Sequence, residues 1–268
     1  MKISQKDWNA YVKRLSKLNA KAASEMTQFI DRNGVENVKA LIDYAYGLTT
    51  KYGEASAALS AEMYDAIAAL ERAILPAAEM ADTATYGEVA KTIQGIMKTS
   101  VNTEQLSNAV GRMVKQAGAD TTLKNAIRDN AEYAWVPVGD TCAFCIALAA
   151  NGWQPMSSRA LKGDHAEHIH ANCDCTYAVR FTQDSGVAGY DPDEYYQEYM
   201  DADTSSFGYG SVNNDRDVTK RDYQNMSTAR INGMRRAMYA KNKDMINAQK
   251  REAYALRKQA IEDGELKP

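Results

Sequence analysis

Cysteine and histidine are scarce in this 268-residue chain, which contains four cysteines and three histidines. All seven lie between Cys142 and Cys175, and the rest of the chain contains neither residue type. Random placement would rarely concentrate two uncommon residue types in one short segment. The clustering therefore predicts that these side chains serve a common purpose.

Long apolar runs are also missing. The longest one near the cysteines, from Cys142 to Ala150, is far too short to cross a bilayer. The N-terminal sequence MKISQKDWNAYVKRLSKLNAK has no continuous apolar core and no small-residue cleavage site. We therefore expect no secretion signal, no membrane contact, and folding in a cytoplasm, where disulfides are rarely maintained.

Basic residues are rare in one part of the chain. Residues 135–213 hold 3 basic and 11 acidic residues, whereas residues 214–268 hold 13 basic and 8 acidic ones. An acidic segment repels phosphate backbones, which argues against a zinc finger that reads DNA. The basic tail suits nucleic acid or an acidic protein surface, and it equally suits a solvated helix face.

Apolar spacing predicts helices over most of residues 1–134, which we interpret as a helical bundle or stalk. A first stripe at three- and four-residue steps comprises Trp8, Tyr11, Val12, Leu15 and Leu18. Asn33-Gly34 is expected to end a second helix, and Tyr52-Gly53 to break a third before an alanine-rich helix over residues 54–75. Thr85, and either Asn102 or Thr103, are expected to cap the next two helices.

The pattern changes at Trp135. The segments 135–139 and 176–181 are β-like and flank the cysteines, so residues 135–190 are predicted to be a small zinc-bearing β-module. Residues 191–268 are predicted to be an irregular segment followed by a basic C-terminal helix, with a short helix at Pro192 and an apolar face that includes Met234 and Met245. The predicted fold class is α+β.

The cysteines and one histidine have zinc-ligand spacing. The pattern is Cys142-x2-Cys145, then 24 residues, then His170-x2-Cys173-x-Cys175. A C-x2-C pair lets two thiolates of one tight turn reach the same ion, and zinc takes four N or S ligands. The predicted metal ligands are Cys142, Cys145 and two of His170, Cys173 and Cys175.

Three other interpretations of the cysteines remain open. A thiol–disulfide redox pair normally opens a helix within a βαβ unit, and no such unit is evident here. Two structural disulfides are disfavoured by an intracellular compartment. Buried, inert thiols do not explain why histidine and cysteine cluster together.

Two further histidines, His165 and His168, precede His170. Each is a candidate ligand in place of His170, a group that hydrogen-bonds to a ligand, or an exposed polar residue. A zinc-dependent nuclease of the His-metal-finger type is the alternative function, because such enzymes join a histidine-rich turn to a cysteine knot. That chemistry needs a general-base histidine and a metal-binding group on a facing helix.

Two separated motifs resemble a phage family. The string Val136-Pro-Val-Gly-Asp-Thr-Cys-Ala-Phe-Cys-Ile-Ala-Leu-Ala-Ala-Asn-Gly-Trp153 resembles the cysteine-pair segment of the MuF-like (gpF-like) head morphogenesis proteins of tailed bacteriophages. His170-Ala-Asn-Cys-Asp-Cys-Thr176 is similar to the element that ends that domain. The tail segments at residues 234–239 and 246–254 also resemble minor capsid proteins, so the resemblance covers about residues 120–260.

The resemblance implies a structural minor capsid protein that associates with the phage portal protein and with capsid or scaffold proteins. It further implies a role in procapsid assembly, with DNA packaging or ejection in some members. Packaged DNA is a candidate partner of the basic C-terminal helix because of that helix's charge. The expected location is the head interior near the portal, after assembly in the host cytoplasm. With four protein ligands a zinc ion is structural, so we expect no enzyme.

Overall fold

The structure of the chain is a computed structural model that is mostly helical, with a few short strands, in agreement with the α+β class. It describes residues 1–99, 102–139, 141–156, 175–202 and 227–238, together with positions 240, 243 and 252. Residues 1–196 form one compact unit and residues 197–268 a second. Among the helices of the described residues, none is both long enough and apolar enough to span a bilayer. The division of the chain at residues 134 and 190 stays a prediction.

The first helix, α1, spans Gln5–Asn33 and begins at the N-cap Ser4, whose side chain accepts a hydrogen bond from the Asp7 N–H. It ends where predicted, at Gly34, which has a φ of 73° that L side chains rarely adopt. The expected division into two helices is wrong. The apolar stripe continues through Ala22, Met26 and Ile30, so a single helix buries it along its whole length.

The second helix, α2, spans Val38–Glu71 and continues through Gly53, so the predicted break at Tyr52-Gly53 is wrong. A Cβ atom at Gly53 would lie 2.9 Å from Cγ2 of Thr83. The glycine therefore allows the chain after α2 to approach the helix closely. Glycine in a helix interior lowers stability by about 1 kcal/mol relative to alanine.

Helices α3 (Tyr86–Thr99) and α4 (Thr103–Arg128) begin at the caps that the sequence predicts. Thr85 Oγ1 accepts from the Glu88 N–H at 3.3 Å, and the Glu88 carboxylate accepts from the Thr85 N–H at 2.8 Å. This reciprocal pair is a capping box. Asn102 Oδ1 accepts from the Glu104 N–H at 2.9 Å at the start of α4.

The extended connection between α2 and α3, residues 72–85, lies along α4 and is held by its side chains. Asn125 accepts from the Glu79 N–H at 2.9 Å and donates to the Glu79 carbonyl at 2.8 Å. Thr121, one turn earlier, accepts from the Ala81 N–H at 3.0 Å. Side chains of α4 thus satisfy backbone groups that have no sheet partner.

Helices α2 and α4 cross closely at Gly118. A Cβ atom there would lie 2.6 Å from Ser56 Oγ, 2.8 Å from Ser60 Oγ and 3.2 Å from the Ser56 carbonyl oxygen. Ser56, Ser60 and Gly118 are buried, so small residues set the distance between the two helices.

Substitution of Gly118 by valine is expected to lower the free energy of unfolding by about 1–3 kcal/mol, because the added methyl groups overpack this crossing. Gly95→Val is the matched control, since a Cβ at Gly95 in α3 meets nothing within 4 Å. The control is expected to be neutral or slightly stabilising, because valine has a better helix propensity than glycine. Urea denaturation of both variants measures the difference, and equal effects would contradict the close crossing.

Within the described part of the first unit, five short strands form two sheets. In the larger sheet, β2 (Glu132–Val136) lies between β3 (Gln154–Pro155) and β4 (Thr176–Arg180), antiparallel to both. In the smaller one, β1 (Lys2–Ile3) pairs in parallel with β5 (Gly186–Val187). The strand predicted at residue 176 is confirmed, whereas the one predicted at 135–139 begins earlier and ends at Val136. Pro137 lacks an N–H donor for further pairing.

Two short helices complete the described elements of residues 141–202. They are α5 (Ala143–Ala149), which follows the first cysteine, and α6 (Pro192–Met200), which begins at the predicted proline.

Among the residues of the first unit that the structure describes, the core consists of two hydrophobic clusters. The first joins helices to the sheet; its members include Trp8, Leu15, Tyr64, Leu123, Trp135, Cys145, Cys175, Tyr177 and Val179. The second lies among the helices alone; its members include Met26, Leu41, Leu48, Val89, Ile93, Leu106 and Val110. The sheet with its cysteines therefore packs directly on helices α1, α2 and α4.

The second unit contains a helix over residues 227–238. Met234 is buried, while Arg235 and Arg236 are exposed, as the predicted apolar and basic faces require. The Arg230 guanidinium lies 5.2 Å from the centre of the Tyr199 ring. Met245 of the predicted face lies outside the described residues.

Candidate metal centre

The first two predicted ligands lie at the start of α5. The chain leaves β2, turns through Gly139, which has a φ of 69°, and reaches Cys142, the N-cap of the helix. The Cys142 side chain makes no capping hydrogen bond, although its carbonyl accepts from the Ile146 N–H at 3.1 Å. Cys145 lies in the first turn and is buried. The two cysteines therefore lie at the N-cap and in the first turn of one helix, three residues apart, which is the spacing of a C-x2-C pair.

Cys175 is one of the three candidates for the remaining two ligand positions. It immediately precedes β4, where Thr176 pairs with Val136 at the end of β2. The cysteine is fully buried, at 0% exposure. Pairing of β2 with β4 therefore brings Cys175 close to the end of β2, the strand that leads to Cys142 and Cys145. Residues 136 and 176 are far apart in sequence and adjacent in the sheet.

Cys145 belongs to the same hydrophobic cluster as Tyr177 and Val179 of β4. Burial raises the pKa of the Tyr177 hydroxyl well above its usual range, and Tyr133, Asp120 and Cys145 add to the rise. Cys175 and Tyr177 are two residues apart and so have the same orientation relative to the sheet. Cys145 and Cys175 also belong to one hydrophobic cluster, against which Cys142 packs.

His165, His168, His170 and Cys173 lie outside the described residues. Over the described ranges, no three His, Cys, Asp or Glu side chains gather as a metal site. The complete ligand set thus stays a prediction. No disulfide joins any two of Cys142, Cys145 and Cys175.

The three described thiols suit zinc by donor type, although these three alone do not gather as a metal site. Cys145 and Cys175 are buried, Cys142 is half-buried, and all three pack on one apolar cluster. A thiolate is costly to bury unless an opposite charge compensates it, and zinc prefers such sulfur ligands in closed structural sites. Burial of this kind also keeps water away from the sulfurs, which suits a structural ion rather than a catalytic one.

A connection between the helices and the sheet was not predicted from the sequence. Oε2 of Glu71, the last residue of α2, accepts hydrogen bonds from the N–H groups of Phe181 and Thr182 at 2.9 and 3.1 Å. It also accepts from the Ser185 hydroxyl at 2.6 Å. The partners are more than a hundred residues apart in sequence, so no local signal marks them. We call this group the Glu71 anchor.

A family model described as VG15 protein matches residues 2–202 of the chain. The chain belongs to the VG15 protein family. This family is phage-associated. The match includes α1 to α6, both sheets and the cysteines at 142, 145 and 175, and it ends before the basic tail. Comparisons with curated proteins and with solved structures gave no match.

Proposed function

We propose that this chain is a structural minor capsid protein of a tailed bacteriophage, that it binds the portal protein, and that it assists assembly of the head. The observation that carries the proposal is membership of a phage-associated family over residues 2–202. The resemblance of residues 136–153 and 170–176 to MuF-like head morphogenesis proteins supplies the finer role.

Zinc is the cofactor in this proposal. Cys142 and Cys145 hold it from the start of α5, and two of His170, Cys173 and Cys175 hold it from the chain that leads into β4. When bound, the ion cross-links these two segments. Four protein ligands leave it no open position for water, so its role is to stabilise the module and not to catalyse a reaction.

Charge supports two kinds of partner. Residues 135–213, with their excess of acidic side chains, suit basic surfaces of the portal, capsid or scaffold proteins. Residues 214–268 are basic, and Arg235 and Arg236 are exposed on the helix of residues 227–238, which suits packaged DNA. The proposed location is the head interior near the portal.

Coexpression with the portal protein of the same phage tests the proposal. The chain is expected to co-purify with tagged portal and not with the portal of an unrelated phage. Phage that lack the gene are expected to form aberrant heads, which the gene supplied on a plasmid should restore.

Normal heads without the gene, together with no portal complex, would overturn the structural role. Cleavage of linear DNA by the purified chain with added divalent metal, lost in His165→Ala or His168→Ala, would instead favour the nuclease alternative.

A further inference from the structure

Basic side chains are concentrated in the N-terminal part of the chain. Residues 1–24 hold six basic residues and a single acidic one, whereas residues 25–134 hold 10 basic and 15 acidic residues. The six basic side chains are all exposed: Lys2, Lys6, Lys13, Arg14, Lys17 and Lys21. The charge balance of residues 1–134 as a whole therefore conceals a strongly basic segment at the start of α1.

Four of these lysines form a row along α1, which we call the lysine row: Lys6, Lys13, Lys17 and Lys21. Because an α-helix turns by about 100° per residue, the four positions fall within about 80° of its circumference. A rise of about 1.5 Å per residue makes the row about 22 Å long. The buried residues of α1, among them Trp8, Leu15 and Met26, lie on the opposite side of the helix. The lysine row therefore faces solvent.

Among the residues that the structure describes, no carboxylate forms a salt bridge with the lysine row. Lysines on other helices are paired: the ammonium of Lys39 lies 2.6 Å from Asp43, and that of Lys124 lies 3.1 Å from Glu79. Neighbouring lysines of the row are about 6–10 Å apart along the helix, which is close to the Debye length at physiological salt. Their potentials therefore add, while more distant acidic residues are screened.

The acidic side chains beside this segment already have partners. Asp7 accepts a hydrogen bond from the Ser4 hydroxyl at 2.6 Å, and Glu62 lies 3.9 Å from Arg14. At the far end of the row, the Lys21 ammonium lies 5.9 Å from the centre of the Tyr52 ring. The two central lysines of the row, at positions 13 and 17, are therefore the most direct probes of its charge.

The composition of this surface favours a polyanion over an acidic protein or a membrane. Protein interfaces are enriched in aromatic residues and depleted of lysine. All of α1 is described, and it exposes no large hydrophobic side chain; Ala10 and Ala20 lie on the same face as the lysines. A helix that binds a membrane surface inserts its apolar face, whereas that of α1 is packed in both hydrophobic clusters.

The phosphate backbone of a duplex has the charge that this row requires. Double-stranded DNA carries about one negative charge per 1.7 Å of its axis, and each lysine that neutralises a phosphate releases a condensed counterion. Lysine is a point charge on a flexible stem, so four of them reach phosphates without a fixed geometry. Such contacts carry no information about base sequence.

We propose that the lysine row of α1 binds the phosphate backbone of double-stranded DNA without regard to sequence. This surface is separate from the basic tail, residues 214–268, and from the candidate metal centre. The proposal does not depend on the portal role, because portal co-purification and DNA binding are separate measurements and either can fail alone.

Fluorescence anisotropy of the purified full-length chain with two labelled duplexes of unrelated sequence tests the proposal. The double variant Lys13→Gln/Lys17→Gln should lower the slope of log affinity against log salt by about 1.8, because each phosphate contact contributes about 0.9. Its affinity at about 50 mM salt should be at least about tenfold lower than that of the unmodified chain. The unmodified chain should bind both duplexes within about twofold of each other. The basic tail is the same in both proteins, so it does not contribute to these differences.

Lys91→Gln/Lys98→Gln is the matched control, since it removes two exposed lysines from α3 and should leave affinity and slope unchanged. Glutamine and lysine have similar helix propensities, so both double variants should fold, which urea denaturation verifies. An unchanged slope in Lys13→Gln/Lys17→Gln, an equal loss in the control, or no DNA binding by the unmodified chain at about 50 mM salt would overturn the proposal.

Competitors separate DNA from other anionic partners. At equal total charge, unlabelled duplex should displace the labelled duplex more effectively than polyglutamate or vesicles that contain phosphatidylserine. Equal competition by polyglutamate would assign the lysine row to an acidic protein surface, and equal competition by the vesicles would assign it to an anionic membrane. Either result would overturn the assignment to DNA.

Discussion

Cys145→Ser is expected to abolish zinc binding and to lower the free energy of unfolding strongly. The residue is buried in the first turn of α5, and serine is a poor zinc ligand. A site that is saturated 1,000-fold above its dissociation constant contributes about 4 kcal/mol to stability, which the variant should lose. Elemental analysis and urea denaturation measure the two effects.

Ala149→Ser is the matched control for this substitution. Ala149 lies one turn later in the same short helix and is fully buried in the same hydrophobic cluster. The variant buries a hydroxyl without removing a ligand, so we expect a modest loss of stability and an unchanged zinc content. Equal zinc content in Cys145→Ser and Ala149→Ser would contradict the assignment of Cys145.

The two hydrophobic clusters determine which residues should lose protection from amide exchange when zinc is removed. Chelation of zinc should raise amide hydrogen exchange over residues 136–156 and 175–181, and also at the helix residues around Trp8, Tyr64 and Leu123, which share a cluster with the cysteines. The helices around Met26 and Val110 belong to the other cluster and should stay protected.

Glu71→Ala is expected to lower the free energy of unfolding by about 3 kcal/mol, because it leaves the N–H groups of Phe181 and Thr182 and the Ser185 hydroxyl without their charged acceptor. Glu71→Gln retains an oxygen acceptor without the charge and should cost about 1 kcal/mol. Urea denaturation gives these values, and faster amide exchange at Phe181 and Thr182 locates the effect.

Glu62→Ala, on the same helix, is the control for the Glu71 anchor. Its carboxylate lies 3.9 Å from Arg14, and about two thirds of each side chain is exposed. Surface pairs of this kind contribute about 0–1 kcal/mol. If Glu71→Ala is no more destabilising than Glu62→Ala, the anchor does not hold the β4–β5 turn to α2.

Local signals in the sequence predicted the ends of helices well. Gly34, Thr85 and Asn102 act through backbone geometry or through side chains that bond within three residues, so their effect is visible in a short window. The break predicted at Gly53 was wrong because this glycine takes part in a long-range contact. There the glycine serves a contact with Thr83, thirty residues away, and no local pattern distinguishes that use from a helix end.

The sequence predicted which residues belong to the candidate site better than it predicted how they are arranged in space. Spacing predicted Cys142 and Cys145 as ligands and Cys175 as one of three candidates for the other two positions, and these three cysteines pack on one hydrophobic cluster. The Glu71 anchor depends on the packing of α2 against the turn after β4, and the contact between the Tyr133 and Tyr177 rings depends on pairing across the sheet. Alternation marks Tyr133 and Tyr177 as candidates in their own strands, but only the register of β2 with β4 brings their rings together.

Elemental analysis of the full-length protein, purified without chelators, is the most direct test of the zinc-closed module. We predict about one zinc ion per chain, released together with thiol reactivity of the cysteines when a strong chelator is added. Protein that is folded, contains no zinc and takes up none on titration would contradict the account.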